Sequence, residues 1–272
     1  MKLAVILPVC CQDRKDCFQL AAESILFQTL KEKQLFVGVD GPVGDELTTY
    51  LNELEQQQQV TVKRFPENRG LACVLNDLLG ICFSEGYEYI ARMDADDIAL
   101  SDRLEKQKRF LDEHPDIDVV GGAISEIDEQ GNSRNKTVVY PDTPEACRKF
   151  FAHRNPHAHP AVMFRRSFFE KAGCRYRPEY RKNQDTMLWF DGMIKGTRHA
   201  NIPDVVLNFR MTDSFFKNRR QGWALAKQQF VDRLKINRGL GYGLGADIYG
   251  FAVFCLLMSP AWLKKIAYKL LR

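Results

Sequence analysis

The sequence predicts an α/β fold: a mainly parallel sheet flanked by helices, with a helical extension at the C-terminal end. Three observations carry this. Short apolar or alternating runs at residues 3–9, 35–40, 60–65 and 87–94 are separated by stretches of helical period. Such alternation places successive strands in parallel, each joined to the next by a crossover helix. The first run, Leu3-Ala4-Val5-Ile6-Leu7-Pro8-Val9, is apolar throughout, as expected of a strand covered on both faces. Two of the runs end in aspartate, at Asp40 and Asp94. In open sheets of this kind ligands bind beyond the carboxyl ends of the strands, so these acids stand where chemistry is expected.

The elements follow in order. Proline lacks a ladder donor, so the first strand is expected to stop at Pro8. Phe18, Ala21, Ala22, Ile25 and Leu26 recur at helical spacing. The second strand ends at Asp40, and Gly41-Pro42 marks a turn. Residues 46–54 read as a helix and residues 60–65 as a third strand. Asn68-Arg69-Gly70 is a loop. Leu71, Val74, Leu75, Leu78, Leu79 and Cys82 then share one helical face. Residues 102–114 form a charged helix in which Asp102 and Glu105 have capping-box spacing. A strand over 117–127, a turn at 128–132 and a returning strand at 136–140 precede a helix over 143–151. The loop His153-Arg154-Asn155-Pro156-His157-Ala158-His159-Pro160 is irregular. A helix runs from Thr186 to Lys195 with Gly196 as its C-cap. Residues 202–209 close the core.

Composition narrows the class. The chain has 272 residues, 45% hydrophobic and 27% charged, which suits one sizeable folded core. A net charge of +4 is mild and does not point to nucleic acid. None of the eight cysteines forms a C-x-x-C pair. They read as reduced thiols of a cytoplasmic protein. No secretory signal is read at the N-terminus. Two parts are expected, residues 1–210 and a C-terminal helical segment, 211–272. Residues 248–263 carry no charge but are short for a membrane span. Lys265, Lys269 and Arg272 lie opposite Leu263, Ile266, Leu270 and Leu271, a basic amphipathic pattern that suits an anionic membrane surface. A helix packed on the domain is the other reading.

The chemistry centres on Arg92-Met93-Asp94-Ala95-Asp96-Asp97. Three carboxylates within four positions repel one another unless a cation neutralises them. Hard oxygen ligands at this density suit Mn²⁺ or Mg²⁺ bridging to a phosphate. An acidic turn between strand and helix is the plain alternative. His153, His157 and His159 do not make a zinc set, because Pro156 and Pro160 break the spacing.

Taken in order, the motifs resemble the family 2 glycosyltransferases and their nucleotide-sugar-binding, Rossmann-like GT-A fold. The pieces are Val5-Ile6-Leu7-Pro8-Val9, Glu23-Ser24-Ile25-Leu26-Phe27-Gln28-Thr29, Val39-Asp40-Gly41, Asn68-Arg69-Gly70-Leu71, Asn76, Asp94-Ala95-Asp96, Arg103-Leu104-Glu105-Lys106-Gln107, Asn155-Pro156 with His159-Pro160, and Gln184-Asp185. The closer likeness is to bacterial enzymes that build O-antigen, capsule and exopolysaccharide.

The resemblance implies roles. Asp94 and Asp96 match the D-x-D motif that holds a metal and meets the nucleotide; Asp97 either supports that pair from behind or starts the following helix, and the helix start is the expected role. Asp40 matches the acid that bonds the nucleobase, though a turn role before Gly41 competes. Pro8, Asn68 and Gly70 line the nucleotide, and Arg210, with Arg219 and Arg220, is placed to reach the diphosphate. Asp185 matches the general base, with Gln184 where the family has a second acid; capping of the following helix is its alternative role. His159 and Gln184 belong to the acceptor side. The expected protein is an inverting, metal-dependent enzyme that moves a sugar, from a UDP-sugar, to a saccharide acceptor, lipid-linked at the inner face of the cytoplasmic membrane. A Mg²⁺-dependent phosphatase using Asp94 and Asp96, and a scaffold that binds nucleotide-sugar without turning it over, are the rivals.

Overall fold

The computed structural model describes residues 2–173, 175–211 and 223–259. The order is β1 (Leu3–Cys10), α1 (Lys15–Leu26), β2 (Gln34–Asp40), α2 (Asp45–Glu55), β3 (Val60–Phe65), α3 (Leu71–Ser84), β4 (Tyr89–Arg92), β5 (Ile98–Ala99) and α4 (Arg103–Glu113). There follow β6 (Val119–Ile127), β7 (Ser133–Val138), α5 (Pro144–Phe151), a 3-10 turn at His159–Ala161, β8 (Met163–Arg165), α6 (Arg166–Ala172), α7 (Gln184–Ile194), β9 (His199–Arg210), α8 (Trp223–Leu240) and α9 (Leu244–Met258). Arg219, Arg220, Cys174 and the basic residues 265, 269 and 272 lie outside the described residues.

Nine strands form one sheet in the order β3-β2-β1-β4-β8-β6-β9-β5, with β7 paired to β6. The first four strands in that order run parallel, as the βα alternation predicts. Beyond β4 the sheet is mixed: β8 is antiparallel to β4 and β6, while β9 runs parallel to β6. Strand β4, which leads into the acidic cluster, is therefore interior to the sheet.

Contrary to expectation, β1 does not stop at Pro8 but runs on to Cys10, paired with β2 throughout. The reason is directional. Ile6 accepts from the Met93 amide on the β4 side (3.1 Å). Pro8 shares that side, past the last β1–β4 pair at Ile6–Arg92, so its missing N–H breaks no ladder bond.

Side chains of β1 alternate between two cores. Leu3, Val5, Leu7 and Val9 pack with Phe18 and Ile25 of α1 and Leu51 and Leu54 of α2. Ala4 and Ile6 join Val74, Leu75 and Leu78 of α3, together with Trp189 of α7 and Ile236 of α8. Gly38 of β2 is required here, because a Cβ would strike Val74 and Leu78 where α3 crosses the strand.

A polar chain is buried in the second half. His157 Nδ1 lies 2.8 Å from Asn201 Oδ1, and its Nε2 lies 3.1 Å from His199 Nδ1. His199 Nε2 lies 3.0 Å from the Thr197 hydroxyl. The Asn201 amide nitrogen donates to the carbonyls of Pro141 and Pro156, so its oxygen is the acceptor. Each imidazole then donates once and accepts once, which only the neutral forms do. Burial holds His157 down at about 4 and His199 well below its usual range, with His157 adding to the latter. An unfolded histidine, near 6.5, takes up a proton that these cannot. Stability therefore stands in full above about pH 6.5 and falls as the pH drops toward 4. Denaturant midpoints at pH 7.5, 6 and 5 should fall in that order, each such histidine adding up to about 1.4 kcal/mol per pH unit. His157→Gln should flatten the slope; an unchanged slope would refute the assignment.

Candidate active site

The acids meet at the carboxyl end of β4. Ligand oxygens of Asp94, Asp96 and Asp97 all lie within 4.8 Å of one another. Arg92, 1% exposed, forms an ion pair with Asp94. Asp97 is not a helix-start acid. It is followed by β5, which pairs with β9, and its Oδ1 accepts the Arg210 amide (2.8 Å). Burial, and then the charges of Asp96 and Asp94, push the Asp97 carboxyl well above the usual range. Asp13, between β1 and α1, is a fourth acid nearby. Burial raises its carboxyl, the Cys10 amide opposes this, and Asp94 adds a smaller push upward.

Arg210 braces this turn. Its Nε donates to the Asp96 carbonyl (2.8 Å) and its Nη1 to the carbonyls of Asp128 and Glu129. Nη2 is buried without a hydrogen-bond partner among the described residues.

The family motifs without an expected role turn out to hold this turn in place. Ser24 Oγ accepts the Ala99 amide (3.0 Å), and Gln28 Oε1 accepts the Leu104 amide (3.0 Å) while its Nε2 donates to the Leu100 carbonyl (2.6 Å). Arg103 is fully buried and donates to the carbonyls of Arg92 (2.8 Å) and Val162 (3.3 Å). Burial, with Arg92 beside it, pushes its guanidinium down to about 9. Gln107 accepts from Arg103 and donates to the carbonyls of Ala161 (2.7 Å) and Val120 (3.3 Å). These contacts tie the strand end to the His-Pro segment. The capping box does not form: Asp102 makes no side-chain cap, pairing instead with Lys106 (2.8 Å), and Glu105 accepts from the Thr29 hydroxyl (2.7 Å).

Asp40 is 5% exposed, opposite Cys10 at the ends of β2 and β1. Its two carboxylate oxygens accept the amides of Arg69 (2.8 Å) and Gly70 (2.9 Å), and its carbonyl accepts from Asn68 Nδ2 (3.2 Å). Asp40 thus anchors the 68–70 loop. Gly70 has φ +91°, and a Cβ there would strike the Arg181 guanidinium.

Asp185 stands in the first turn of α7, where the helix dipole favours a negative charge. Asn155 Nδ2 donates to its Oδ2 (3.0 Å), and Asn155 Oδ1 accepts from the Thr186 hydroxyl (3.0 Å). The Asn-Pro motif therefore orients the candidate base. Gln184 Oε1 is buried with no hydrogen-bond partner among the described residues. His159 Nε2 lies 2.8 Å from the Tyr176 hydroxyl, and its ring meets Trp189 of α7 edge to face. Tyr176 is pinned by Asn76, which both donates to its carbonyl (2.7 Å) and accepts its amide (2.9 Å). Burial holds His159 well below its ordinary range, with the Arg92 charge adding to the effect. His159 thus packs on the helix carrying Asp185 and feels the charge of Arg92 at the end of β4.

Known proteins resemble this chain in sequence and in fold. The model of glycosyl transferase family 2 matches residues 5–173. The amylovoran biosynthesis glycosyltransferase AmsE of Erwinia amylovora is 30% identical over 86% of this chain and 85% of its own length. The Escherichia coli UDP-Gal:alpha-D-GlcNAc-diphosphoundecaprenol beta-1,3-galactosyltransferase is 24% identical over 80% of this chain and 77% of its own. The crystal structure of S. aureus TarS 1-349 in complex with UDP-GlcNAc superposes with a TM-score of 0.65 at 15% identity, over 95% of this chain and 82% of that one, and shares the GT-A fold. With a matching family model over more than half its length, this chain belongs to glycosyl transferase family 2 and is a glycosyltransferase.

Proposed function

We propose that the protein transfers a sugar from a UDP-sugar to a lipid-linked saccharide, with inversion, during surface-polysaccharide assembly. The observation that carries this reading is a set of clustered carboxylates at the end of β4 together with an oriented carboxylate, Asp185, at the start of α7, the helix whose Trp189 packs against His159. The AmsE and galactosyltransferase relatives support the polysaccharide context, and the latter's name supports a UDP-sugar and a diphosphoundecaprenol-linked acceptor. The phosphatase and scaffold readings are not favoured, since the relatives are transferases throughout the aligned length.

The cluster fits a divalent cation: hard oxygen donors converge, and Asp97 Oδ2 is buried with no hydrogen-bond partner among the described residues. Asp94 and Asp96, with Asp97 behind them, would hold Mn²⁺ or Mg²⁺, which supplies Lewis-acid stabilisation of a leaving diphosphate. The chain's own residues do the rest. Pro8 and the loop anchored by Asp40, at Asn68 and Gly70, border the nucleotide, with Asp40 near the base. Arg210 fixes the Asp96 backbone and offers Nη2 toward the anionic side. Asp185, oriented by Asn155, takes the proton from the acceptor hydroxyl as that oxygen attacks the anomeric carbon from the face opposite the leaving group. Gln184 and His159 shape the acceptor side.

Among the described residues no helix is long and apolar enough to cross a membrane. Trp223 and Val231 of α8, and Ile248, Phe251 and Met258 of α9, nonetheless expose large apolar surface. With the basic segment beyond residue 259, this supports peripheral contact with an anionic bilayer.

Three outcomes are expected. UDP at about a hundred times its Kd, with Mn²⁺, should stabilise the protein by about 2.7 kcal/mol, and Asp96→Asn should abolish the metal-dependent part. Stabilisation by no nucleotide under any metal condition would sink the donor reading. Asp185→Asn should cut transfer by roughly 10²–10⁴ while leaving UDP binding intact; wild-type turnover would exclude Asp185 as the base. The protein should co-sediment with phosphatidylglycerol vesicles at low salt and be released at high salt; recovery in the supernatant at low salt would remove the membrane contact.

A further inference from the structure

A cleft of about 100 Å³ opens between α7, α8 and α9. Phe230, Tyr249 and Phe254 form an aromatic wall, and Asp232, Asn183 and Thr186 contribute polar groups. We infer that this cleft is a saccharide subsite that takes an uncharged, hydroxyl-bearing sugar ring of the acceptor, next to the one that reacts. The inference rests on the glycosyltransferase reading above.

Position is the first ground. Asn183 and Thr186 flank Asp185 in the chain, and Thr186 bonds the same Asn155 that orients Asp185. A saccharide whose terminal hydroxyl meets Asp185 has its next ring within reach of this cleft. Asp232 is the second ground. It is 2% exposed, and its Oδ1 accepts from the Tyr180 hydroxyl and from Gln228 Nε2, each at 2.9 Å. Its Oδ2 is buried and has no hydrogen-bond partner among the described residues. A carboxylate oxygen so placed calls for a donor, and a hydroxyl supplies one without bringing charge.

The walls fit the same ligand. Aromatic faces pack against the C–H face of a pyranose while a few polar groups fix its orientation. Asp232 repels phosphate, which separates this cleft from the diphosphate end of the donor. The neighbouring cation is engaged elsewhere: Arg233 donates to the Phe151 carbonyl and lies over the Phe151 ring. The cleft also depends on a close helix crossing. A Cβ on Gly250 would lie 2.8 Å from Arg233 Cγ, so glycine at this position keeps α9 against α8.

Saturation-transfer NMR on the full chain tests this, with octyl glucoside, octyl galactoside and octyl N-acetylglucosaminide below their micelle concentrations. Ring protons of at least one glycoside should receive saturation. Asp232→Asn and Phe254→Ala should each weaken that binding by about tenfold or more, with stabilisation by UDP unchanged. Should Asp232→Asn fail to fold by circular dichroism, Tyr249→Ala on the same wall carries the test. Saturation confined to the octyl chains, or ring binding equal in wild type and folded variants, would overturn the subsite. Ring binding lost in the variants, with no UDP binding even in wild type, would sink the donor reading and leave the subsite standing. UDP binding with no ring saturation would do the reverse.

Discussion

Mutual repulsion among carboxylates at the end of β4 is the constraint around which this molecule is built. Ligand oxygens of Asp94, Asp96 and Asp97 lie within 4.8 Å of one another, where like charges repel. The restraint is covalent in part, since they follow one interior strand. The rest comes from cations and amides brought from far along the chain: Arg92 on Asp94, the Arg210 amide on Asp97, and the Arg210 guanidinium on the Asp96 carbonyl. Strand β9 therefore serves the site as much as it serves the sheet.

Polar side chains packed beneath that cluster hold the backbone around it. Ser24 and Gln28 of α1 satisfy the segment from Ala99 to Leu104, and Arg103 with Gln107 joins the end of β4 to the segment before β8. Buried donors and acceptors of this kind are costly to leave unpaired, so the arrangement has few alternatives. Rigidity here matters because stabilisation of developing charge depends on groups that need not reorganise.

The half of the molecule around α7 is organised differently. Its centre is aromatic, with Trp189 surrounded by His157, His159, Phe164 and His199. Neutral imidazoles let polar contacts pass through this core without burying charge. Asn76 of α3 pins Tyr176, whose hydroxyl meets His159, so a residue of the segment before α7 is held by the helix that follows β3. The α8–α9 hairpin then extends the surface beside Asp185 through Asp232 and its aromatic wall.

Much of this was legible in the chain itself. Hydrophobic period announced the alternation of strands and helices up to β4, because covering a strand on both faces leaves a local record in residue type. The position of Asp40 and Asp94 at strand ends followed from the same pattern, as did the motif order that marks the family. What the chain could not show were the partners. Gln28 meets Leu104 across 76 positions, and Asp97 meets Arg210 across 113. Asp97 looked like a helix-start acid and Pro8 like a strand end because local rules treat a residue by its neighbours in sequence. Asp97 instead answers to the backbone of β9, and Pro8 to the short length of β4 beside it. Residue order alone carried the fold class, the family and the candidate acids, since periodicity and spacing are local properties. Packing settled which acid is buried, that Arg210 braces the acidic turn, and which motif residues hold it, because burial and pairing exist only once distant segments are brought together.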